Sequence, residues 1–130
     1  MNPGYLSRLI RQRPYVSLKV AMSADGRTAM ANGESQWITG IAARADVQRL
    51  RARSCAVLTG IGTVLADDPQ LTVRDPACAV EGSIRQPLRV ILDSKLRAAP
   101  DAQVFTGPGA ALLVHASEDG ASDIAVEHLQ

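Results

Sequence analysis

Four short apolar runs constrain the fold of this chain more than any other feature of its sequence. They lie at residues 15–23, 55–60, 87–94 and 110–117, and each is rich in Val, Leu, Ile or Ala. Because polar residues hardly interrupt them, they are typical of strands buried in a sheet. Residues 40–54, between the first two runs, consist mainly of the strong helix formers Ala, Arg, Gln and Leu. Strands separated by a helix predict an α/β fold with a largely parallel sheet.

The segments outside these runs are predicted as connections and ends. Asp25-Gly26 and Asn32-Gly33 predict tight turns, because both pairs are common turn residues. Residues 104–109 predict a short strand followed by a turn, and residues 123–130 predict the start of a helix. Residues 1–14 contain three arginines and are interpreted as a linker or lead-in arm.

Composition excludes several classes of protein. The 130 residues are enough for one domain, and the 46% hydrophobic content is that of a globular protein. A formal net charge of +1 and 3% aromatic residues argue against a nucleic-acid partner. No apolar stretch approaches the roughly 20 residues of a membrane span, so no membrane partner is expected.

Cysteine usage bears on metal binding and on compartment. Cys55 and Cys78 form no CxxC pair, and only His115 and His128 are available to join them. A zinc site is therefore not expected. Two thiols without a signal peptide predict a reducing, cytoplasmic compartment.

Small or polar residues follow each of the four runs. The segments are SADGR, TGIGT, DS and HAS, in chain order. Ligands of open α/β sheets bind beyond the carboxyl ends of the strands. We therefore expect these four segments to share one cleft.

The segment TGIGT, residues 59–63, allows two interpretations. Gly60 and Gly62 permit close approach of a ligand to the backbone, and the Thr63 hydroxyl can donate to an anion. No Gly-Lys-Ser/Thr follows, which excludes a Walker A loop, and Leu65 occupies the third glycine position of a GxGxxG motif. The alternative is an ordinary tight turn from a strand into a helix.

Several charged residues are candidates for chemistry, each with a plainer alternative. Asp67 and Asp68 are able to bind a metal or to act as acid and base, or they serve only the turn before Pro69. Arg51 and Arg74 are candidate phosphate ligands, because a guanidinium group pairs with an oxyanion through two hydrogen bonds. The alternative for an arginine on this helix is a solvated surface position.

Two further residues stand out by type. Trp37, the only tryptophan, is able to stack on a flat ring or to fill a core. Lys19 lies inside the first apolar run. A lysine there is either an edge residue with its charge in solvent or a functional amine in a cleft.

Three long segments combine into a pattern that is specific to one family. They are LKVAMSADGRTAMANGESQWIT, DVQRLRARSCAVLTGIGTVLADDPQLTVR and QPLRVILDS. Together they closely resemble the reductase domain of the bifunctional riboflavin-biosynthesis deaminase/reductase. Residues 1–14 resemble the connector that leads into this domain, and residues 15–130 are expected to be its N-terminal part. After Ser94 the resemblance is looser.

The resemblance implies a dihydrofolate-reductase-like α/β fold, with a mostly parallel sheet flanked by helices. It implies an NADPH-dependent enzyme that reduces the ribosyl group of 5-amino-6-(5-phosphoribosylamino)uracil to the ribitylamino product in riboflavin biosynthesis. The partners that it implies are NADPH, a small phosphorylated substrate and, for the complete domain, a second copy in a homodimer. It implies no metal.

The contacts of the family carry over position by position. Those implied for the cofactor fall on Ala21, Trp37, Gly62, Thr63, Asp67 and Ser94. Those implied for the substrate fall on Ser35, Arg51, Leu71 and Arg74. The two arginines would hold the ribose 5-phosphate, and Lys19 is our candidate for polarising or protonating the reacting centre. Asp68 is left with turn chemistry.

The chain departs from the family in two respects. It has no HxE and no PCxxC, the signature of the zinc-dependent deaminase half, so no deamination is expected. The segment GASDIAVEHLQ does not match the Gly-rich loop and helix with which the family holds the phosphates of the cofactor. The domain is therefore expected to be incomplete, with little or no activity in this chain alone.

Two alternatives to the reductase stay open. The chain is a non-catalytic remnant that acts only as a binding or association module, or it is a dihydrofolate-reductase-like enzyme for another heterocycle. Arg51 and Arg74 together argue for a phosphorylated substrate and against a folate. A reading frame that continues past Gln130 with a Gly-rich loop and a helix would favour the enzyme.

Overall fold

The computed structural model describes residues 2–33 and 38–116, and the backbone of residues 124–129. The chain divides into two compact units, Met1–Gly40 and Ile41–Gln130. The boundary expected at residue 14 between a connector and a reductase domain stays a prediction. No helix within the described ranges is both long and apolar enough to cross a lipid bilayer.

The N-terminal unit begins with helix α1, Pro3–Arg11. The Asn2 side chain caps this helix, because its Oδ1 accepts hydrogen bonds from the backbone N–H groups of Gly4 at 3.0 Å and Tyr5 at 3.2 Å. Proline is well suited to the first helical position, where its missing N–H would have had no partner. The predicted lead-in arm therefore contains a regular helix.

The first predicted strand, residues 15–23, is wrong, since the structure assigns no strand there. Val16 and Leu18 are 82% and 89% exposed. A strand needs ladder hydrogen bonds to a neighbouring strand. The backbone bonds described in this segment are local instead, since the Ser23 N–H donates to the Arg27 carbonyl and the Ser23 carbonyl accepts from the Gly26 N–H. The turn predicted directly after it is confirmed, with Gly26 at φ +81°.

The second unit contains the sheet and its helices. Its elements, in chain order, are α2 Ile41–Arg53, β1 Ala56–Gly60, α3 Ile61–Asp67, a 3₁₀ turn Pro76–Cys78, β2 Leu88–Leu92, α4 Gln103–Thr106, β3 Ala111–Ala116 and β4 Ile124–Leu129. The predicted helix between the first two runs is confirmed as α2. The other three predicted strands are confirmed as β1, β2 and β3.

The sheet has the strand order β1-β2-β3-β4. β1 pairs in parallel with β2, with Ala56 beside Leu88, and β2 pairs in parallel with β3, with Arg89 beside Ala111. β4 lies antiparallel to β3. The predicted α/β fold, with a mostly parallel sheet flanked by helices, is therefore confirmed.

Two local predictions in this unit are wrong. The short strand expected within residues 104–109 is instead the end of helix α4 and a turn. The Asp68 carboxylate accepts a hydrogen bond of 2.9 Å from the Gln103 N–H at the start of α4, a cap that the local sequence does not contain. The helix expected within residues 123–130 is instead strand β4, because its backbone pairs with β3. Short apolar segments fit either structure, and the neighbouring element decides between them.

One face of the sheet carries the hydrophobic core. The buried residues of this core are Ile61, Val64, Leu71, Ile91, Val104, Ala111 and Leu113. Side chains alternate between the two faces of a strand, and on the other face Leu58 and Leu92 are 62% and 44% exposed. Helices α3 and α4 thus contribute to a core on one side of the sheet. The carboxyl ends of β1, β2 and β3 stay accessible.

Candidate functional site

A cleft opens at the carboxyl ends of β1, β2 and β3. Its volume is about 480 Å³, and it is lined by residues 60–62, 92–94 and 114–116 together with Arg97. Three of the four segments predicted to share a cleft, TGIGT, DS and HAS, contribute to it. The fourth, SADGR, belongs to the N-terminal unit. A cavity of this size is within the usual range of small-molecule sites.

The turn from β1 into α3 forms one wall of this cleft. Gly60 has an extended backbone, with φ −91° and ψ 159°, and directly precedes the first helical residue, so the interpretation as a strand-to-helix turn is confirmed. A Cβ built on Gly60 or Gly62 would meet no atom within 4 Å. The packing of the turn therefore does not require these glycines, and both leave space for a ligand to approach the backbone.

The lining of the cleft includes a buried carboxylate, Asp93. Its Oδ2 accepts hydrogen bonds from the backbone N–H groups of Arg97 and, at 2.8 Å, of Ala98, and its Oδ1 lies 3.4 Å from Arg97 Nε. Burial alone would raise the pKa of Asp93, but hydrogen bonds from Ala98, Arg97 and Lys95 outweigh burial and hold the pKa below its usual value. Asp93 is therefore an ionised support of the turn after β2.

Three polar side chains in the cleft are able to donate hydrogen bonds. They belong to Ser94, Arg97 and His115. Ser94 is exposed, and the Arg97 side chain is 50% exposed while its Nε pairs with Asp93. Hydroxyl, guanidinium and imidazole groups donate to phosphate and ribose oxygens. The donors present therefore fit an anionic nucleotide.

The predicted cofactor contacts lie in different parts of the chain. Gly62 and Ser94 line the cleft. Thr63 and Asp67 are exposed residues of α3, the helix that begins at the cleft. Ala21 is half-buried in the N-terminal unit. The remaining predicted cofactor contact, Trp37, and the predicted substrate contact Ser35 lie outside the described residues.

The two candidate phosphate ligands come together on the second unit. Arg51 of α2 donates from Nη1 to the Thr72 carbonyl at 3.1 Å. Arg74 donates from Nη1 to Gln70 Oε1 at 3.1 Å, and its backbone N–H donates to Gln48 Oε1 of α2 at 2.8 Å. Burial lowers the pKa of Arg51, and the positive charge of Arg74 lowers it further. Two guanidinium groups from different elements thus lie within electrostatic range, an arrangement suited to an oxyanion.

The other two predicted contacts differ in accessibility. Leu71 is 9% exposed and belongs to the core, and its φ of +55° is left-handed. A ligand would therefore meet its backbone rather than its side chain. Lys19 is an exposed residue of the N-terminal unit.

Asp68 is the C-cap of α3, with a left-handed φ of +39°, and its side chain bonds to a distant residue. Its Oδ1 accepts from the Gln103 N–H at 2.9 Å, and its Oδ2 accepts from Gln103 Nε2 at 3.1 Å. Both carboxylate oxygens are therefore used by Gln103, the first residue of α4. Among the residues that the structure describes, no three His, Cys, Asp or Glu side chains group together in a way that could hold a metal ion.

Several residues that support the two sites are not among the predicted cofactor and substrate contacts. Asp93 and Arg97 shape the turn after β2, and Gln48 and Gln86 bond to the backbone of residues 73–74. The DS pair at the end of a buried strand was a usable signal for Asp93. No local signal marks the two glutamines, because their backbone partners lie 26 and 13 residues away along the chain.

Parallel strands that end in a cleft with several polar side chains define the class of this protein. It is an α/β protein of the kind that binds small molecules at the carboxyl edge of its sheet. The sequence model of the RibD C-terminal domain matches residues 14–129. The chain therefore belongs to the RibD C-terminal domain family.

Curated relatives agree with this assignment. The riboflavin biosynthesis protein RibD of Escherichia coli K12 is 47% identical over 126 residues, which are 92% of this chain and 34% of that protein. RibD of Haemophilus influenzae is 51% identical over 112 residues, which are 81% of this chain and 30% of that protein. The chain thus spans about a third of the length of the curated relatives that it matches.

Solved structures share the fold. RibD of Acinetobacter baumannii, form 1, matches with a TM-score of 0.80 at 50% identity, over 89% of this chain and 33% of that one. A diaminohydroxyphosphoribosylaminopyrimidine deaminase/5-amino-6-(5-phosphoribosylamino)uracil reductase of Thermotoga maritima matches with a TM-score of 0.73 at 37% identity, over 88% of this chain and 31% of that one. The predicted dihydrofolate-reductase-like fold of a RibD reductase domain is confirmed by these neighbours.

Proposed function

We propose that this chain forms part of a reductase domain that uses NADPH to reduce the ribosyl group of 5-amino-6-(5-phosphoribosylamino)uracil in riboflavin biosynthesis. The observation that carries the proposal is the proximity of Arg51 and Arg74, the two residues predicted to hold the substrate phosphate. The relative from Thermotoga maritima, whose name includes this uracil reductase, supports the same substrate.

At the substrate end, the ribose phosphate is held by charge-assisted hydrogen bonds from Arg51 and Arg74. Arg51 donates to the Thr72 carbonyl from Nη1. A guanidinium group has five N–H donors, so Arg51 keeps others for the phosphate oxygens. Ser35 hydrogen-bonds the substrate, and the backbone of Leu71 contacts it.

At the cofactor end, NADPH binds in the cleft at the strand ends. Of the contacts that the family resemblance implies, Gly62, Thr63, Asp67 and Ser94 belong to the unit that holds this cleft, and Ala21 and Trp37 precede that unit in the chain. When bound, NADPH supplies the hydride for the reduction, and the protein orients the two reactants. The volume of the cleft, the open space at Gly62 and the hydrogen-bond donors of Ser94 and Arg97 support this site.

Lys19 polarises or protonates the reacting centre. Its ammonium group is a donor that can transfer a proton to the imine nitrogen of the open-chain substrate while the ribose C1′ accepts the hydride. The free thiols of Cys55 and Cys78 support a cytoplasmic location. The resemblance to the family supports a homodimer of the complete domain.

The proposal is tested by the oxidation of NADPH in the presence of the phosphoribosylaminouracil, with this chain and with the full-length gene product. We expect turnover by the full-length protein and little or none by the 130-residue chain alone. Arg51→Ala and Arg74→Ala should each raise KM roughly ten- to hundredfold, because each removes charge-assisted hydrogen bonds to the phosphate.

Arg49→Ala is the matched control, since Arg49 is an exposed arginine on the same helix. It should leave KM unchanged. An unchanged KM in both Arg51→Ala and Arg74→Ala would remove the phosphate role, and no NADPH oxidation by the full-length protein would overturn the proposed activity.

A second candidate function is a binding or association module without turnover. The exposed Leu58 and Leu92 on one sheet face favour it, because exposed apolar surface is typical of association sites. Concentration-dependent association of the chain in sedimentation experiments, together with an inactive full-length protein, would favour this candidate over the reductase.

A further inference from the structure

Thr72 and Val73 are buried although they belong to no helix or strand. Thr72 and Val73 are 1% and 2% exposed. Buried backbone N–H and C=O groups need hydrogen-bond partners, which a regular element would normally supply. Here the partners are side chains of α2 and of the loop before β2.

Gln86 supplies both hydrogen bonds of the Val73 backbone. Its Oε1 accepts from the Val73 N–H at 2.8 Å, and its Nε2 donates to the Val73 carbonyl at 2.8 Å. One side-chain amide thus replaces the pair of bonds that a neighbouring antiparallel strand would make. Because Val73 is buried, loss of this amide would leave two backbone groups without partners.

The Gln86 side chain is itself held by its surroundings. The fully buried Pro87 follows it and restricts its backbone to extended conformations. A Cβ on Gly109 would lie only 2.7 Å from Gln86 Cβ, so Gly109 provides the space that Gln86 occupies. The buried Arg89 donates from Nη2 to the carbonyls of Gly107 at 2.9 Å and Gly109 at 2.6 Å, which fixes this loop beside Gln86.

The two hydrogen bonds from Gln86 fix the residue that directly precedes Arg74. Arg74 directly follows Val73, and Arg51 bonds to the Thr72 carbonyl two residues before Arg74, so the two positive charges lie within electrostatic range. Like charges repel, so without an anion the two guanidinium groups favour separation. A backbone that holds them together before the anion arrives reduces the ordering cost of binding.

We propose that Gln86 is a positioning residue for the binding of a phosphomonoester by Arg51 and Arg74, and that it acts through the backbone of Val73. Gly109 belongs to the same arrangement, because it makes room for the Gln86 side chain. The inference rests on the proposed function, in which the phosphomonoester is the ribose phosphate of the substrate.

The test measures the affinity of the chain for ribose 5-phosphate by isothermal titration calorimetry. Gln86→Met removes both bonds to Val73 at nearly constant side-chain length, and Gln86→Glu keeps the acceptor but loses the donor. Hydrogen exchange at the Val73 amide reports the local geometry without any ligand.

Ser7→Ala is the control, because Ser7 belongs to the N-terminal unit and not to the unit that carries the two arginines. The buried Ser7 donates from its hydroxyl to the Arg13 carbonyl at 3.0 Å. Like Gln86, it supports the backbone of a segment without regular structure, but that segment adjoins neither Arg51 nor Arg74.

We expect Gln86→Met to weaken binding of ribose 5-phosphate roughly tenfold, and Gln86→Glu to weaken it at least as much, because its second carboxylate oxygen would face the Val73 carbonyl. Gln86→Met should also exchange the Val73 amide faster than the wild type, and Ser7→Ala should change neither quantity. Unchanged affinity in Gln86→Met would overturn the inference, and so would an equal loss of affinity in Ser7→Ala at an equal change in Tm. If Gln86→Met does not fold, the comparison of Gln86→Glu with the wild type decides in the same way.

The binding assay tests the inference and the NADPH assay tests the proposed function, so each can be overturned without the other. An inactive full-length protein whose phosphate binding still depends on Gln86 would overturn the proposed function and keep the inference. An active full-length protein whose phosphate binding is unchanged in Gln86→Met would keep the proposed function and overturn the inference. A wild-type chain that does not bind ribose 5-phosphate would overturn the inference.

Discussion

The cleft at the strand ends and the arginine segment, residues 70–74, belong to the same unit but are built in different ways. The cleft is formed by the carboxyl ends of three parallel strands, whose positions follow from the sheet order. The arginine segment has no regular structure and is held by side chains of Gln48, Arg51 and Gln86. A site placed by sheet topology is expected to tolerate many side-chain changes, whereas a site held by side chains depends on a few long-range bonds.

The largest expected effect on stability is that of Asp93, the one side chain on which the turn beside the cleft depends. Asp93→Ala removes the buried acceptor of the Arg97 and Ala98 backbone N–H groups. We expect the free energy of unfolding to fall by about 3 kcal/mol, because these donors are left without partners. The affinity of the folded protein for ribose 5-phosphate should not change, since Asp93 has no part in the arginine segment.

Urea denaturation measures this loss, and the exposed Asp101→Ala is its control. The control should change the free energy of unfolding by less than about 0.5 kcal/mol. A similarly small change in Asp93→Ala would contradict the role of Asp93 as the support of the turn after β2.

Substitution of one glycine by alanine in each region should change stability in opposite directions, downward beside the arginine segment and upward in the cleft. Gly109→Ala puts a Cβ 2.7 Å from Gln86 Cβ on a backbone with φ +90°. We expect it to lose about 2 kcal/mol of stability and to bind ribose 5-phosphate more weakly. Gly62→Ala lies within α3, with open space around the added Cβ. We expect it to gain roughly 0.5 kcal/mol of stability and to bind NADPH more weakly.

Thermal unfolding of both variants, with titrations of the two ligands, checks this pair. Tm should fall for Gly109→Ala and rise slightly for Gly62→Ala. Shifts of Tm in the same direction would contradict the distinction between a glycine required by packing and a glycine that leaves space for a ligand.

The smallest expected effect is the pH dependence contributed by Asp93. Its pKa is lowered on folding, so the unfolded chain binds more protons at this residue. The resulting stability is present above the pKa of an unfolded aspartate, about 3.9, and is lost as the pH falls through the folded-state pKa. Between about pH 5 and pH 3, stability should therefore fall more steeply in the wild type than in Asp93→Asn. Parallel curves of unfolding free energy against pH would refute this expectation.

Predictions from local sequence succeeded where the deciding property was local. The continuous apolar runs at 55–60, 87–94 and 110–117 contain the strands β1, β2 and β3, and the Ala- and Arg-rich segment between the first two predicted strands contains the helix α2. Predictions failed where a distant partner decided. Residues 15–23 have the composition of a strand but no strand assignment, and residues 124–129 form a strand because β3 lies beside them.

By itself, the sequence determined the parallel strands, the cleft expected at their carboxyl ends, and the motifs that resemble the family. These follow from composition, hydrophobic pattern and the order of short motifs, which are properties of neighbouring residues. Only the tertiary structure decided that Gln86 serves Val73 and that Asp68 caps α4, across 13 and 35 residues of chain. The physical reason is that every buried backbone polar group needs a partner, and the fold, not the local sequence, determines which side chain is close enough to supply it.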